Sequence, residues 1–354
     1  MSIEDEASQV RSGEELDLPR LSAYLEKEVP GLSGSIDIQQ FPSGFSNLTY
    51  LLRCGNQEMV LRRPPFGKKA KTAHDMGREF RILQALRPLF PYCPEPLCFC
   101  NDPEVMGCDF YVMERIQGII LRKELPVGLS LSAEQAYSLC DNLISVHADL
   151  HNLPIRDAGL EKFGKPEGYV KRQVEGWSRR FRDARTPDVP DFETVMKWLF
   201  RQQPEDTKQP AIIHNDFKFD NVVLDPADPT RIIGILDWEM ATIGDPLMDL
   251  GASMAYWING NDPESLQHTR LMPTNLPGMM SREEVVAAYA RKTGRNVDNF
   301  DFYYVFGLFR LAVIAQQIYY RFYHGQTKDQ RFAFLVHAVG FFEEACQKMI
   351  GTNS

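Results

Sequence analysis

Strand-like and helix-like sequence are distributed very unevenly along this chain. The first third contains short apolar or alternating runs separated by turn sequences, at 35–41, 48–53, 58–63, 96–100 and 110–115. Helical spacing in the same third occurs at 17–28 and 73–86. Helical patterns then dominate, with capping boxes that begin at Ser132 and Ser281 and later helices at 192–202, 301–323 and 330–349. The chain is therefore expected to be α+β, with a sheet and one packed helix first and a mainly helical remainder.

This change in pattern also predicts the domain organisation. Residues 1–16 carry many charges and few apolar side chains, so we expect a mobile acidic tail. Residues 17–116 form the first expected lobe and residues 117–354 the second. The lobes should meet near 114–118, and a cleft between lobes commonly holds a ligand.

Composition limits the classes of function. The 354 residues are 44% hydrophobic and carry a formal net charge of -9, which argues against a general nucleic-acid binder because such proteins need a basic footprint. The seven cysteines match no zinc-site spacing, so reduced thiols are expected. The N-terminus is acidic, without the apolar stretch of a signal peptide, and charged residues interrupt the late apolar region at 303–323. We expect a cytoplasmic protein without a membrane span; the sequence leaves the oligomeric state open.

One segment has the composition of a catalytic loop. His214 to Asn221 has the pattern H-x-D-x-x-x-x-N and lies between the apolar runs 211–213 and 222–224. Phosphoryl transfer requires a carboxylate that orients and deprotonates the attacking hydroxyl, and oxygen ligands for Mg²⁺. Asp216 suits the first role and Asn221 the second.

A second carboxylate site follows. The apolar run 232–236 leads directly into Asp237, and a carboxylate in that position is costly unless a cation or donors meet it. Mg²⁺ is a suitable partner because it prefers hard oxygen ligands. Glu239 would point the same way if the chain stays extended, and could join a second metal. Each pattern alone is commonplace, whereas the ordered pair is much more specific.

Together with Gly244-Asp245-Pro246-Leu247-Met248-Asp249-Leu250, these motifs resemble the aminoglycoside phosphotransferase family, which shares the protein-kinase-like fold. The resemblance extends from about Phe41 to about Phe342. It implies a bilobal fold with an N-terminal antiparallel sheet, ATP and Mg²⁺ as cofactors, and a small-molecule hydroxyl as acceptor. It also implies that Asp216 is the catalytic base, that Asn221 and Asp237 are metal ligands, and that His214 braces the loop. Asp245 and Asp249 are expected to be buried acceptors that tie loop and helix ends together.

The same resemblance assigns nucleotide contacts to the first third. The segment 42–50 is similar to the family's phosphate-covering hairpin loop, in which Ser46 and Asn47 could contact phosphate oxygens; an ordinary hairpin turn is the alternative. Arg62 stands where the family usually has a strand lysine that binds phosphates. The forked donors of arginine also suit phosphate.

Three further positions complete the expected site. Glu79 matches the helix glutamate that orients the strand cation, with a solvent-exposed glutamate as the alternative. The backbone between Glu114 and Ile116 resembles the hinge that contacts adenine. Lys218 is where many kinases place a lysine against the transferred phosphate, with a simple surface lysine as the alternative. His147 and His151 have helical i, i+4 spacing without an evident third ligand, so packed histidines are expected rather than zinc ligands.

Within the family, the chain is similar to a subgroup related to the kinase-like domain fused to some acyl-CoA dehydrogenases. The shared segments are Gly44–Tyr50, Val60–Pro65, His214–Phe217 and Leu276–Gly278. The sequence has no GxGxxG fingerprint, so the dehydrogenase activity itself is not expected. The subgroup implies a hydroxyacyl-CoA or related acid as acceptor. An aminoglycoside or amino-alcohol kinase and a nucleotide-binding pseudokinase without turnover remain alternatives.

Overall fold

The computed structural model describes residues 7–41, 47–66, 75–156 and 159–352. The chain divides into two compact units. The first combines Met1–Ile120 with Asp157–Leu160 and Asn221–Ala241, and the second combines Leu121–Arg156, Glu161–Asp220 and Thr242–Ser354. The first unit is thus discontinuous in sequence, and the expected boundary at 116 stays a prediction.

Strands in the described residues are short. They are β1 (Ile36–Gln40), β2 (Leu48–Cys54), β3 (Gln57–Arg63), β4 (Pro96–Cys100), β5 (Phe110–Glu114), β6 (Ala211–Ile213), β7 (Val222–Leu224), β8 (Ile232–Ile235) and β9 (Thr242–Gly244). The first five form one antiparallel sheet in the order β1-β2-β3-β5-β4. The expected N-terminal antiparallel sheet is confirmed.

Helices make up most of the second unit. Across the described residues they are α1 (Leu18–Glu28), α2 (Met76–Leu86), α3 (Pro103–Met106), α4 (Ala133–His151), α5 (Tyr169–Ala184), α6 (Glu193–Arg201), α7 (Pro246–Tyr256), α8 (Glu264–Thr269), α9 (Arg282–Thr293), α10 (Phe300–Tyr323) and α11 (Leu335–Thr352). Both predicted capping boxes are present, at Ser132 and Ser281. The helix expected from 330 begins as a 3-10 turn, Gln330–Phe334, before α11.

Residues 7–16 are attached to the sheet, in contrast to the expected mobile tail. Ser8 exchanges backbone hydrogen bonds with Gln40 at 2.8 and 2.9 Å. The Tyr50 hydroxyl donates to the carbonyl of Glu14 at 2.8 Å. Gln40 is buried, and its side chain accepts from the backbone N–H of Arg11. A buried amide needs such partners, so hydrogen bonds hold the polar segment, and its Val10 and Leu16 side chains also pack against the hydrophobic core of the first unit.

A small hairpin completes the first unit. Strand β7 pairs with β8, and the segment after β5 adds an isolated bridge between Ile119 and Leu224. Gly118 approaches this hairpin so closely that a Cβ there would lie 2.3 Å from the carbonyl oxygen of Leu224. Glycine is therefore required at this contact.

All seven cysteines are free and buried, as expected for reduced thiols. Among the described residues, no helix is both long enough and apolar enough to cross a bilayer.

Candidate active site

The β7–β8 hairpin positions two of the predicted metal ligands. Val222 pairs with Ile235, and the Leu236 N–H donates to the Asn221 carbonyl at 2.8 Å. Asn221 and Asp237 are therefore brought to the same end of the hairpin, although 16 positions separate them in sequence. The register of the strands, rather than the motif spacing alone, produces this proximity.

The chain turns sharply after β8. Asp237 has a left-handed backbone with φ of 65°, and a 3-10 turn, Trp238–Met240, follows it. The chain is therefore not extended from Asp237 to Glu239, so the condition under which Glu239 was expected to point the same way is not met. Trp238 stabilises the turn, because its ring is buried and its indole N–H donates to the Ile235 carbonyl at 2.9 Å. A strained non-glycine residue of this kind is typical of functional sites.

Arg62, on β3, is a buried cation of the first unit. Its Nη1 lies 2.5 Å from Oε1 of Glu79. Both Nη atoms lie 3.0 Å from Oδ1 of Asp237. A further ion pair at 3.4 Å joins Nη2 to Oε2 of Glu239. Burial by itself lowers the pKa of Arg62, but Glu79 and Asp237 outweigh it and hold that pKa above its ordinary value.

Glu79 comes from α2, whose first turn is capped by Asp75. Its side chain is 2% exposed, so the solvent-exposed alternative is wrong. One turn of the same helix is anchored to the loop after β8, because Arg78 Nη2 donates to the Ala241 carbonyl at 2.6 Å. Helix, strand and loop thus hold the Arg62–Glu79 pair from three sides.

The remaining nucleotide-side predictions have mixed outcomes. Asn47 is buried and its amide donates to Oε2 of Glu239 at 2.7 Å, and Ser46 lies outside the described residues. Glu114 ends β5, where its carboxylate accepts from the backbone N–H of Glu95. Ile116 packs against Gly234 of β8, since a Cβ on that glycine would meet it at 2.7 Å. The contacts of these residues with a nucleotide stay predictions.

The oxygen donors of the first unit are compatible with Mg²⁺. Asp237 and Glu239 offer carboxylates, and Asn221 an amide oxygen, which are the hard ligands that this ion prefers. The side chain of Asp237 is 36% exposed and that of Glu239 25%, so both are within reach of solvent.

In the second unit, the backbone of the predicted catalytic loop is fixed by one carboxylate. Strand β6 ends at Ile213, and the next two N–H groups, of His214 and Asn215, donate to Asp249 at 2.7 Å each. Asp216 N–H in turn donates to Nδ1 of His214 at 3.2 Å. Asn215 has a left-handed backbone with φ of 65°. The loop is thus held by hydrogen bonds in a conformation that it would not adopt alone.

Two histidines of α4 also form hydrogen bonds with Asp249. Nε2 of His147 lies 3.2 Å and Nε2 of His151 3.1 Å from Oδ2 of Asp249, and Nδ1 of His151 lies 2.7 Å from the Tyr289 hydroxyl. The ring of His147 stacks on Phe217 at 4.0 Å. The sequence showed no third group beside these histidines, and the structure supplies Asp249. Because a carboxylate only accepts, both Nε2 atoms donate, and the two histidines are buried and hydrogen-bonded as expected. Their ligand atoms and a carboxylate oxygen of Asp249 lie within 4.8 Å of one another, close enough to hold a metal ion, so the expectation that they bind no zinc stays a prediction.

Electrostatics support this arrangement. Burial, followed by the neighbouring His147, lowers the pKa of His151 to about 3. Burial would raise the pKa of Asp249, but hydrogen bonds from both histidines hold it well below its ordinary range. A neutral His151 therefore donates to an ionised Asp249.

Lys218 is largely buried beside Asp216, so the surface alternative is wrong. Its Nζ lies 3.2 Å from Oδ1 of Asp216 and 3.5 Å from Oδ2 of Asp220, and 4.7 Å above the Tyr256 ring. Burial lowers the pKa of Lys218, but Tyr256 and the two carboxylates outweigh it and raise that pKa. Sequence reasoning missed Asp220. The sequence pattern that could have identified Asp220 is the placement of Asp216 and Asp220 at equal spacing on either side of Lys218.

Two predictions for α7 are confirmed. Asp245 is the N-cap, accepting from Leu247 N–H at 2.8 Å, and Asp249 ties the loop to the helix. Both carboxylates are buried.

Two charged residues of the region 257–278, Asp262 and Arg270, are paired. Asp262 forms an ion pair with Arg282 whose shortest distance is 2.5 Å. Arg270 is buried and lies 2.6 Å from Glu124. Glu264, by contrast, is 90% exposed. The region therefore has no cluster of unpaired carboxylates among these residues.

The five-stranded sheet, the mainly helical second unit and the loop after β6 define a protein-kinase-like α+β fold. Residues 37–279 match the model of the phosphotransferase enzyme family, and the chain belongs to that family. It is 33% identical over 338 residues to acyl-CoA dehydrogenase family member 11 of Rattus norvegicus and 35% identical over 321 residues to that of Mus musculus. These matches cover 93% and 89% of the chain but only 43% and 41% of the relatives, so the chain corresponds to the kinase-like region of longer proteins.

Solved structures agree on the fold. A Ralstonia eutropha protein, assigned provisionally to the aminoglycoside phosphotransferases, superposes with a TM-score of 0.79 at 28% identity, over 94% of this chain and 99% of that one. Choline kinase from Cryptosporidium parvum gives 0.61 at 13% identity, over 95% and 97%. Spectinomycin phosphotransferase, solved with ADP and spectinomycin, gives 0.58 at 14% identity, over 94% and 98%.

Proposed function

We propose that this chain catalyses ATP-dependent, Mg²⁺-assisted phosphoryl transfer to a hydroxyl group of a small molecule. The observation that carries the proposal is the loop after β6, where Asp249 fixes the backbone and the Asp216 carboxylate stands 3.2 Å from Lys218. A fixed carboxylate beside a permanent cation suits deprotonation of an acceptor next to an anionic phosphate.

The residues have the following proposed roles. Asp216 accepts the proton of the acceptor hydroxyl while the acceptor oxygen bonds to the γ-phosphorus and ADP leaves. Lys218 neutralises charge on the transferred group, and Arg62 binds the phosphates of the nucleotide. Mg²⁺ held by Asn221, Asp237 and Glu239 would further neutralise the phosphate charge. His214 holds the loop and is not a proton carrier in this scheme.

For the acceptor, we propose a hydroxyacyl-CoA or a related acid. The relatives carry the name of acyl-CoA dehydrogenases and are more than twice as long as the matched region. A kinase region joined to such an enzyme would serve a shared class of substrate. The pairing of Asp262 with Arg282 supports this choice, because a polycationic aminoglycoside would need unpaired carboxylates. Cytoplasmic localisation also stays a prediction.

A nucleotide-binding pseudokinase is the second candidate. The observation that favours it is the engagement of Asp237 by Arg62, which places a cation on a predicted metal ligand.

Acceptor-dependent ATP turnover separates the two candidates. The purified chain is assayed for ADP release with hydroxyacyl-CoAs, aminoglycosides and amino alcohols. We expect stimulation by the acids, and Asp216→Asn should lower kcat by about 10²–10⁴-fold because the general base is lost. Asp149→Asn, an exposed aspartate on α4, is the matched control and should retain full turnover. If no acceptor raises turnover above the Asp216→Asn level, the pseudokinase is favoured.

A further inference from the structure

Arg62 differs from an ordinary strand cation in the number of carboxylates that it joins. One guanidinium contacts Glu79 at 2.5 Å, Asp237 at 3.0 Å and Glu239 at 3.4 Å. Glu79 contacts only one Nη atom, whereas both Nη atoms converge on Oδ1 of Asp237. Both terminal nitrogen atoms of this buried arginine therefore contact Asp237, a residue that we assign to metal binding.

The forked shape makes this contact possible. Guanidinium presents its N–H groups in a plane and can bond two separate acceptors at once, whereas a lysine offers one compact ammonium. A lysine at this position would keep a charge for Glu79, but its single nitrogen could not place two nitrogen atoms against Asp237 as arginine does. The double contact is thus specific to arginine.

The contact has a cost for metal binding. Oδ1 of Asp237 accepts two N–H bonds, and a cation that uses this oxygen must displace them. Charge repulsion between guanidinium and metal acts in the same direction. Phosphate oxygens, in contrast, are strong bidentate partners for arginine, so phosphates would compete with the carboxylates for the Arg62 guanidinium.

We propose that Arg62 sets the metal affinity of this site by competing with the divalent cation for Asp237 and Glu239 until nucleotide phosphates engage it. Metal and nucleotide binding are then coupled through one side chain, so that each strengthens the other. The inference rests on the proposed function for the identity of the phosphate ligand. The competition itself involves only the protein and the metal.

Manganese titration of the nucleotide-free chain tests the competition. Free Mn²⁺ is followed by electron paramagnetic resonance for wild type, Arg62→Lys and Arg63→Lys. We expect Arg62→Lys to lower the Mn²⁺ Kd by about tenfold, because the charge is kept and the fork is lost. Arg63 is the matched control: it is buried on the same strand, but its guanidinium meets the Pro64 carbonyl and the Phe66 ring. The Mn²⁺ Kd of the Arg63→Lys variant should equal that of wild type.

Three outcomes would overturn the proposal. They are an unchanged or weaker Mn²⁺ affinity in Arg62→Lys, an equal tightening in Arg63→Lys, and no detectable Mn²⁺ binding by any variant. None of them involves turnover, so they are distinct from failure of the acceptor screen.

A wild-type measurement covers the case in which Arg62→Lys fails to fold. Phenylglyoxal modifies accessible arginines, and mass spectrometry reports the rate at each site. Mn²⁺ alone should accelerate modification of Arg62 several-fold by displacing it from Asp237. Arg270, buried and paired with Glu124, is the internal reference and should not change. Equal rates at Arg62 with and without Mn²⁺ would contradict the competition.

Discussion

At the scale of single residues, Asp249 links several parts of the second unit. Four donors converge on it: two loop N–H groups and two histidine Nε2 atoms. An asparagine has one acceptor oxygen and adds an NH₂ group that would face donors. Asp249→Asn should therefore leave buried donors unpaired and lower the free energy of unfolding by about 3 kcal/mol.

Urea denaturation followed by circular dichroism measures this change. Asp149→Asn makes the same chemical substitution at an exposed position of α4 and should alter the stability by less than about 0.5 kcal/mol. Equal stabilities of the two variants would mean that the hydrogen bonds to Asp249 contribute nothing net.

His151 gives this unit a dependence on pH. Its folded pKa is lowered to about 3 from the ordinary 6.5, so between these values the unfolded chain binds a proton that the folded chain does not. Stability is fully present above pH 6.5 and falls as the pH falls, by about 1.4 kcal/mol per pH unit from this group. Asp249 adds to the loss as the pH falls below about 3.8, because the unfolded chain then binds a proton at this carboxylate and the folded chain, whose Asp249 pKa is depressed, does not.

Urea denaturation at pH 7.5, 6.0 and 5.0 measures the slope. His151→Gln should be less stable than wild type at pH 7.5 but lose less stability on acidification. His268→Gln, an exposed histidine of α8, is the control and should follow the wild-type slope. A His151→Gln slope identical to wild type would show that His151 is not the titrating group.

At the scale of elements, α7 and α10 meet at two glycines. A Cβ on Gly307 would lie 2.3 Å from the carbonyl oxygen of Gly251, and one on Gly251 would meet Tyr303 equally closely. Gly307→Ala must separate the helices, and we expect a loss of about 1–3 kcal/mol in the free energy of unfolding.

Gly340→Ala is the matched control, because Gly340 lies in α11 with no atom within 4 Å of its Cβ position. The better helix propensity of alanine should make that variant more stable by about 0.5–1 kcal/mol. Thermal unfolding compares both with wild type. A Gly307→Ala variant as stable as Gly340→Ala would refute the close approach.

The sequence predicted elements well where a periodic face or a cap was present. Three helices of the second unit, α5, α7 and α8, were not predicted, and the reasons differ between α7 and α5. Helix α7 is buried on nearly all sides, so it shows no apolar stripe. Helix α5 does have a stripe, with Val170, Val174 and Phe181 buried beneath a basic face, and its pattern was available.

For the site, residue types were predictable and their partners were not. The sequence indicated Asp216, Asp237 and Arg62 as members of the site. It did not indicate that Arg62 bonds Asp237, because 175 positions separate them and the contact depends on the turn after β8. It also could not show that Asp249 joins α4 to the loop. Long-range pairing of this kind follows from packing rather than from local spacing.

At the scale of the whole molecule, ligand binding should stabilise the chain by mass action. A ligand that binds only the folded state at 100 times its Kd adds about 2.7 kcal/mol to the free energy of unfolding. The assigned metal ligands lie in the segment Asn221–Ala241, which belongs to the first unit although its neighbours in sequence belong to the second. We therefore expect ATP with Mg²⁺ to raise Tm by several degrees, and ATP with EDTA to raise it much less.

The variant Asp237→Asn distinguishes the contribution of the metal to the Tm shift from the contribution of the nucleotide. Loss of the carboxylate should make the shift caused by ATP the same with Mg²⁺ and with EDTA, because the remaining donors bind the ion too weakly. Asp149→Asn keeps all assigned ligands and should reproduce the wild-type difference. A full Mg²⁺-dependent shift in Asp237→Asn would remove Asp237 from the metal site. Since Arg62 would lose the charge of Asp237 in that variant while keeping Glu79 and Glu239, the variant should bind ATP in the presence of EDTA at least as well as wild type does.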